Sequence, residues 1–191
     1  SDTSVYALAR AYSFFASNLL HNNAGIDDTV HSFHFVNGKR DLSGEQLAAY
    51  RQYHNLAIAQ FKRLQVQNPS FETIVGNIKV KTDNEYLVSF VEINGFKSRE
   101  EAVKELPEGL YNEFYLDFGR NILASCPKNA ILFTYGDIDT YVPVYIQEKL
   151  GYRRDVTILN TSLLGVDWYI DLIRRNDFHP QPVAVTLPAA Q

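Results

Sequence analysis

Methionine is absent from the 191 residues, and cysteine occurs once, at position 126. One cysteine allows neither an intrachain disulfide nor a thiolate zinc site. Cys126 therefore reads as a packing residue at a helix end. Without methionine, Ser1 is not a translation start, and the expectation is that a signal or anchoring segment has been removed ahead of it. No window approaches the run of about 20 apolar residues that would span a bilayer. The nearest is the first helical stretch, which Arg10, Ser13, Ser17 and Asn18 interrupt. Dense positive charge is lacking as well: the net charge is -4, and the basic pairs Lys39-Arg40, Lys62-Arg63, Arg153-Arg154 and Arg174-Arg175 are scattered. Such a surface gives phosphate backbones little to hold, so nucleic acid is not an expected partner. A phosphate-binding glycine loop is missing, since Gly136 stands alone, and Ser162 lacks the Gly-x-Ser-x-Gly elbow of hydrolases.

What is present is ordinary globular composition, 46% hydrophobic and 21% charged, enough for one well-buried domain or a small domain with an added helical layer. Val5, Leu8, Tyr12, Phe15 and Leu19 recur at spacings of three and four and predict an amphipathic helix over 5–20. Leu47, Tyr50, His54, Ala57, Phe61 and Leu64 predict a second over 45–67, which Gln67-Asn68-Pro69 stops. A long polar loop, 22–44, joins them. Its His31 and His34 have a loose ligand spacing and read as loop histidines, while His54 reads as a buried, hydrogen-bonded imidazole. The helix and its stop also resemble the second half of a tetratricopeptide repeat at 45–69, where Ala57, Phe61 and Pro69 fall at that family's spacing.

Beyond residue 70 the pattern changes. Ile78, Val80, Tyr86, Val88, Phe90 and Val91 partly alternate around the polar break at 82–85, which predicts a β-hairpin over 72–93, with a helix over 84–93 as the alternative. Ser98 opens a short capped helix that Pro107 closes. The stripe Leu110, Phe114, Phe118, Ile122 predicts a helix over 110–124. Strands follow at 130–134, 156–159 and 183–187, with helices at 140–150 and 167–175 between them. The fold class is therefore mixed α/β: a helical layer over 1–70 and a parallel β-α-β-α-β unit within 71–191, the two forming separate or joined domains. Crossovers this short make the strands parallel, so they share a carboxyl edge.

That edge collects Asp137, Asp139 and Thr140 after one strand and Asn160, Thr161 and Ser162 after the next, on the side where open α/β sheets bind ligands. Four readings of the aspartates compete. Either caps the following helix, with Pro143 in its first turn; or both hold Mg²⁺ or Mn²⁺ against a phosphate, as an Asp-x-Asp metal motif does. The third is an aspartyl nucleophile resembling haloacid-dehalogenase-like phosphatases, although the usual glycine, lysine and acidic pair are missing. The fourth is binding of a polar small ligand without chemistry, for which no cofactor is expected.

A longer string is more specific. NAILFTYGDIDTYVPVYIQEKLGYRRDVTILNTSLLGVDWYIDLIRR, residues 129–175, resembles the soluble carboxyl-terminal region of a family of bacterial multi-pass membrane proteins of unknown function, related to protein O-mannosyltransferases. The matching residues are Gly136, Asp137, Asp139, Thr140, Tyr141, Gln147, Glu148, Arg154, Asp155, Val156, Ser162 to Leu164 and Asp167 to Ile170, within a stretch of about 112–187. Ile138 stands where the family has Asn, and Pro143 falls one place late. The resemblance implies an exported domain, periplasmic or at the cell surface, beside a membrane-anchored partner or with its own anchor removed. It also implies that glycosyl transfer would be carried by membrane-embedded parts outside this chain. The leading expectation is a non-catalytic domain binding a polar ligand or partner protein at the carboxyl edge. Its rivals are a metal-dependent enzyme of sugar or phosphate chemistry using Asp137 and Asp139, and a helical interaction module with an apolar groove between the first two helices.

Overall fold

A computed structural model describes residues 1–23 and 42–175. His31, His34 and the expected strand at 183–187 lie outside the described residues. Two long helices open the chain, α1 (Asp2–Asn23) and α2 (Gly44–Gln67). α2 starts on a full capping box: the Ser43 hydroxyl accepts from the Gln46 amide, while the Gln46 side chain accepts from the Ser43 amide. Its buried face is the expected stripe, Leu47, Tyr50, His54, Ala57, Phe61 and Leu64, with Ile58 added.

α1 is rotated from its expected face. Val5, Ala9, Ala16 and Leu20 are buried, whereas Leu8 and Phe15 are nearly half exposed. The small side chains explain the choice, because Ala9 and Ala57 let the two helices close over Phe61 and Leu64. An apolar groove between them is therefore filled rather than open.

The expected hairpin over 72–93 is replaced by a two-residue ribbon and a helix. β1 (Glu72–Thr73) pairs antiparallel with β2 (Gly76–Asn77), and α3 (Ile78–Phe96) follows, capped by the Asn77 side chain on the Val80 amide. β-Branched and aromatic residues misled because α3 is buried on nearly every side, so its sequence lacks a one-sided helical stripe. Next come α4 (Arg99–Val103), capped by Ser98, and α5 (Glu113–Ser125), capped by Asn112. The expected stripe on α5 also faces the wrong way. Phe114 is 74% exposed, and the packed face is Leu116, Gly119 and Leu123. Gly119 decides this: with no side chain it admits Val142 and Ile146 of α6 (Asp137–Leu150) into close contact.

The remainder follows the expected order. β3 (Ile131–Thr134) leads into α6 and then β4 (Thr157–Asn160), and the strands pair in parallel, Ile131 with Thr157 through Thr134 with Asn160. α6 begins three residues earlier than expected, so Pro143 lies in its second turn rather than its first. Gly151, at φ 69°, ends it in the left-handed conformation that glycine adopts without strain. A 3-10 turn (Thr161–Leu163) and α7 (Asp167–Arg174) complete the described chain. One core joins Ala16, Leu20 and Tyr50 of the first helices to Phe90 of α3, Ile146 of α6 and Trp168 of α7, crossing the division at residue 70. No helix of the described residues is long and apolar enough to cross a membrane.

Candidate functional site at the carboxyl edge

Parallel pairing of β3 and β4 brings 135–140 and 160–162 to one edge, as their order in the chain requires. There the polar side chains bind one another. Thr140 Oγ1 donates to the Gly136 carbonyl at 2.6 Å, accepts from Asn160 Nδ2 at 3.0 Å and lies 2.7 Å from Thr134 Oγ1. One proton and two lone pairs are thereby fully used. Asn160 Oδ1 accepts the Ser162 amide at 2.9 Å, and the Asn160 backbone N–H donates to Tyr169 Oη at 2.9 Å. Thr161 Oγ1 donates to the Thr134 carbonyl and Ser162 Oγ to the Tyr135 carbonyl, both at 2.8 Å. Asn160 and Thr140 are buried; Thr161 and Ser162 are exposed.

The two aspartates part company. Asp139, third residue of α6, turns back: Oδ1 accepts the Gly136 amide at 2.8 Å and Oδ2 the Tyr135 amide at 2.9 Å. Gly136 has no side chain with which to cap, so the carboxylate serves the turn instead, and its charge suits the helix start. Asp137 points the other way, to α3, where its Oδ2 receives Asn84 Nδ2 at 3.4 Å. Burial pushes the Asp137 carboxyl up, opposed by Lys81 and Asn84 and reinforced by Glu85 and Asp139. A metal held by the pair would have to share Asp139 oxygens that each already accept a backbone amide, and to draw in Asp137, which is directed to Asn84 instead. Among the described residues no group of three or more His, Cys, Asp and Glu side chains is arranged to hold a metal ion.

Asp137 ends a polar row that the expected hairpin concealed. Asn84 Oδ1 accepts from Tyr111 Oη at 2.8 Å, and Asp83 accepts the Tyr111 amide at 3.0 Å. The next residue, Glu85, pairs with Lys81 one turn back and accepts from Ser13 Oγ of α1 at 2.7 Å. Glu92 accepts from Ser17 Oγ at 2.6 Å and from Tyr50 Oη at 2.8 Å. Burial raises the Glu92 carboxyl to about 7 against those two donors. His54 Nε2 lies 3.1 Å from the Glu85 carbonyl, and burial lowers its imidazole, as a buried neutral ring requires. Lys81, Glu85 and Glu92 are four and seven residues apart, a helical spacing that marks one face once the segment is read as a helix.

The edge and row define a class: a mixed α/β domain whose polar string is a structural clasp, set on a helical layer with buried carboxylates. A family model covers the clasp. Residues 115–191 match the family model described as TMEM260-associated domain 2. The protein O-mannosyl-transferase tmem260 of Dictyostelium discoideum is 31% identical over 58 residues, which cover 30% of this chain and 7% of that protein. No solved structure matches. The carboxyl-terminal part of the chain is thus related to a glycosyltransferase-associated family, and the matched stretch is a small fraction of its relative.

Proposed function

We propose that this chain is a non-catalytic recognition domain of a glycosyltransferase-related protein, exported with it, and that its carboxyl edge binds a polar ligand or a partner protein. The supporting observation is the clasp. Thr140, Asn160 and Asp139 direct their polar atoms into the fold, leaving Thr161, Ser162 and the 75% exposed Tyr135 as the edge's outward surface. Groups already committed to backbone partners make poor bases and nucleophiles, but they hold a surface rigid, which lowers the entropy lost on binding. The whole relative carries the name of a mannosyl transferase; in this chain the role would be to position or recognise, beside a membrane-anchored partner.

Metal-dependent sugar or phosphate chemistry through Asp137 and Asp139 is the rival. Thermal unfolding with Mn²⁺ or Mg²⁺, alone and with a nucleotide-sugar, separates them, because a ligand of the folded state raises its midpoint. On the recognition reading the midpoint stays put, Asp139→Ala destabilises by about 1 kcal/mol through its lost amide contacts, and Asp137→Asn leaves metal response unchanged. A metal-dependent rise that both substitutions abolish would establish the enzyme instead.

A further inference from the structure

Between α1 and α3, away from the matched stretch, a groove opens to solvent. Arg10 and Phe14 stand on one wall, and Lys81, Glu85 and Val88 on the other. The hydroxyls that line it are already committed, Ser13 donating to Glu85 and Ser17 to Glu92. The charges are not balanced. Lys81 is neutralised by Glu85, one turn on along α3. Arg10 has no carboxylate partner among the described residues, and its guanidinium lies 5.3 Å from the centre of the Phe14 ring. The groove therefore carries one uncompensated positive charge. Depth gives that charge a direction: the Lys81 side chain is 16% exposed and that of Glu85 3%, so the lysine lies nearer the opening and the carboxylate deeper. The Phe61 ring, its centre 5.4 Å from Lys81 Nζ, helps to hold the ammonium in place.

We propose that this groove binds the singly charged carboxylate of a small organic acid, with Arg10 and Lys81 as its donors. The planar fork of Arg10 offers two parallel N–H groups to a carboxylate, and Lys81 keeps two of its three protons after bonding Glu85. An anion seated there leaves the Lys81–Glu85 pair intact and supplies the charge that Arg10 lacks. A cation would have to pass the lysine and displace it from Glu85, stranding a buried charge. One negative charge is favoured over two. Glu85 already repels the Asp137 and Glu92 carboxylates in this part of the core, so the second charge of a phosphate dianion would add to that repulsion with no cation left to offset it. Phe14, 59% exposed, and Val88 give the acid's carbon body an apolar surface to cover.

The groove shares no residue with the carboxyl edge, so each site can fail alone. The test is amide-resolved NMR titration of the full chain, at pH 8 and constant ionic strength, with benzoate, acetate, inorganic phosphate and benzamide, the uncharged isostere of benzoate. Benzoate is expected to shift resonances of Arg10 to Ser17 and Lys81 to Val88 in a saturable way at millimolar concentration, acetate to do so more weakly, and benzamide not at all. Arg10→Gln removes a charge that no carboxylate among the described residues uses. It should weaken benzoate binding by about tenfold while circular dichroism remains that of the parent. The comparison of benzoate with benzamide in the parent decides the need for charge without any substitution. Benzamide binding as tightly as benzoate, phosphate binding more tightly than both acids, benzoate binding indifferent to Arg10→Gln, or no saturable shift at these residues overturns the proposal. Shifts confined to 135–140 and 160–162 would overturn it too, while supporting the edge.

Discussion

Glu92 is a carboxyl group 8% exposed at the junction of α1, α2 and α3, with Ser17 and Tyr50 as its donors among the described residues. Burial lifts its carboxyl from 4.5 to about 7. At roughly 1.4 kcal/mol per pH unit, that rise makes the ionised form cost the folded state about 3 kcal/mol. The folded pKa lies above the unfolded one, so the folded chain holds the proton more tightly. Stability from this group is fully present below pH 4.5 and is lost as pH rises through 7. Glu92→Gln keeps the shape, offers one acceptor and one donor to Ser17 and Tyr50, and carries no charge at any pH. The expected result is a variant more stable than the parent by up to about 3 kcal/mol at pH 8, the gap closing as pH falls to 5. Urea unfolding of both proteins at each pH measures it.

Other titrating groups face this site: Glu85 on the same helix, Tyr50 on α2, and Tyr141 on α6. They are common to both proteins, so the difference between the two isolates Glu92 unless they couple to it. A gap that does not vary with pH, or a parent more stable at pH 8, would refute the reasoning. Either would mean that water or a cation stabilises the carboxylate inside the three-helix junction.

Gly119→Val should cost about 1–3 kcal/mol by overpacking, because the first added carbon already falls 2.7 Å from Ile146 Cδ1 and 2.9 Å from Val142 Cγ1; differential scanning calorimetry reads the loss. Arg153 forks across the Leu123, Cys126 and Pro127 carbonyls and Asp155, so Arg153→Lys, which keeps the charge but loses the planar fork, should lower the melting temperature. Arg153 holds the Asp155 carboxyl well below the usual carboxylate range, and the stability this gives is present at neutral pH and disappears in acid. The gap between the parent and Asp155→Asn should therefore narrow as pH falls below 3.8, the carboxyl's ordinary value, in acid-unfolding curves.

Legibility in the sequence followed how clearly each element is patterned or punctuated. α2 was readable from its one-sided stripe, whereas β3, α6 and β4, though α6 and β4 are buried on most sides, were readable because short apolar strands flank a helix that Gly151 ends. α3 was not, since Leu87, Phe90, Val91 and Ile93 are buried together with Asp83, Asn84, Glu85 and Glu92. A helix wrapped on all sides has neither a helical stripe nor a polar face. α1 and α5 were found but turned the wrong way, because alanine and glycine, weak in any hydrophobic count, define the faces that pack most closely. Position along the carboxyl edge was legible for all six candidate residues; the direction of each side chain was not. Asp137 and Asp139 are two residues apart on a helix start, and that spacing sends them to different partners.

The 115–191 match does not make that segment a folding unit. Cutting before Tyr115 removes α3, and with it the Phe96 ring 5.4 Å from Trp168 and the Gly95 backbone against which that indole packs. It also removes Tyr111 from beside Tyr145, Asn84 from Asp137, and the Pro107 carbonyl that accepts Tyr145 Oη. Trp168, Tyr145, Val142 and Ile146 are all nearly fully buried in the intact chain, and burying such a side chain stabilises by about 1.5–3 kcal/mol. Exposing even part of that set exceeds a large share of the 5–15 kcal/mol, roughly, that keeps a domain folded. The isolated 115–191 fragment should therefore lack a cooperative urea transition and the near-ultraviolet signal of Trp168, both of which the intact 1–191 chain should show. A fragment that unfolds cooperatively with that signal intact would show that the carboxyl-edge clasp stands without α3, and the polar row from Asp137 into α3 would then be a docking contact between two separable units.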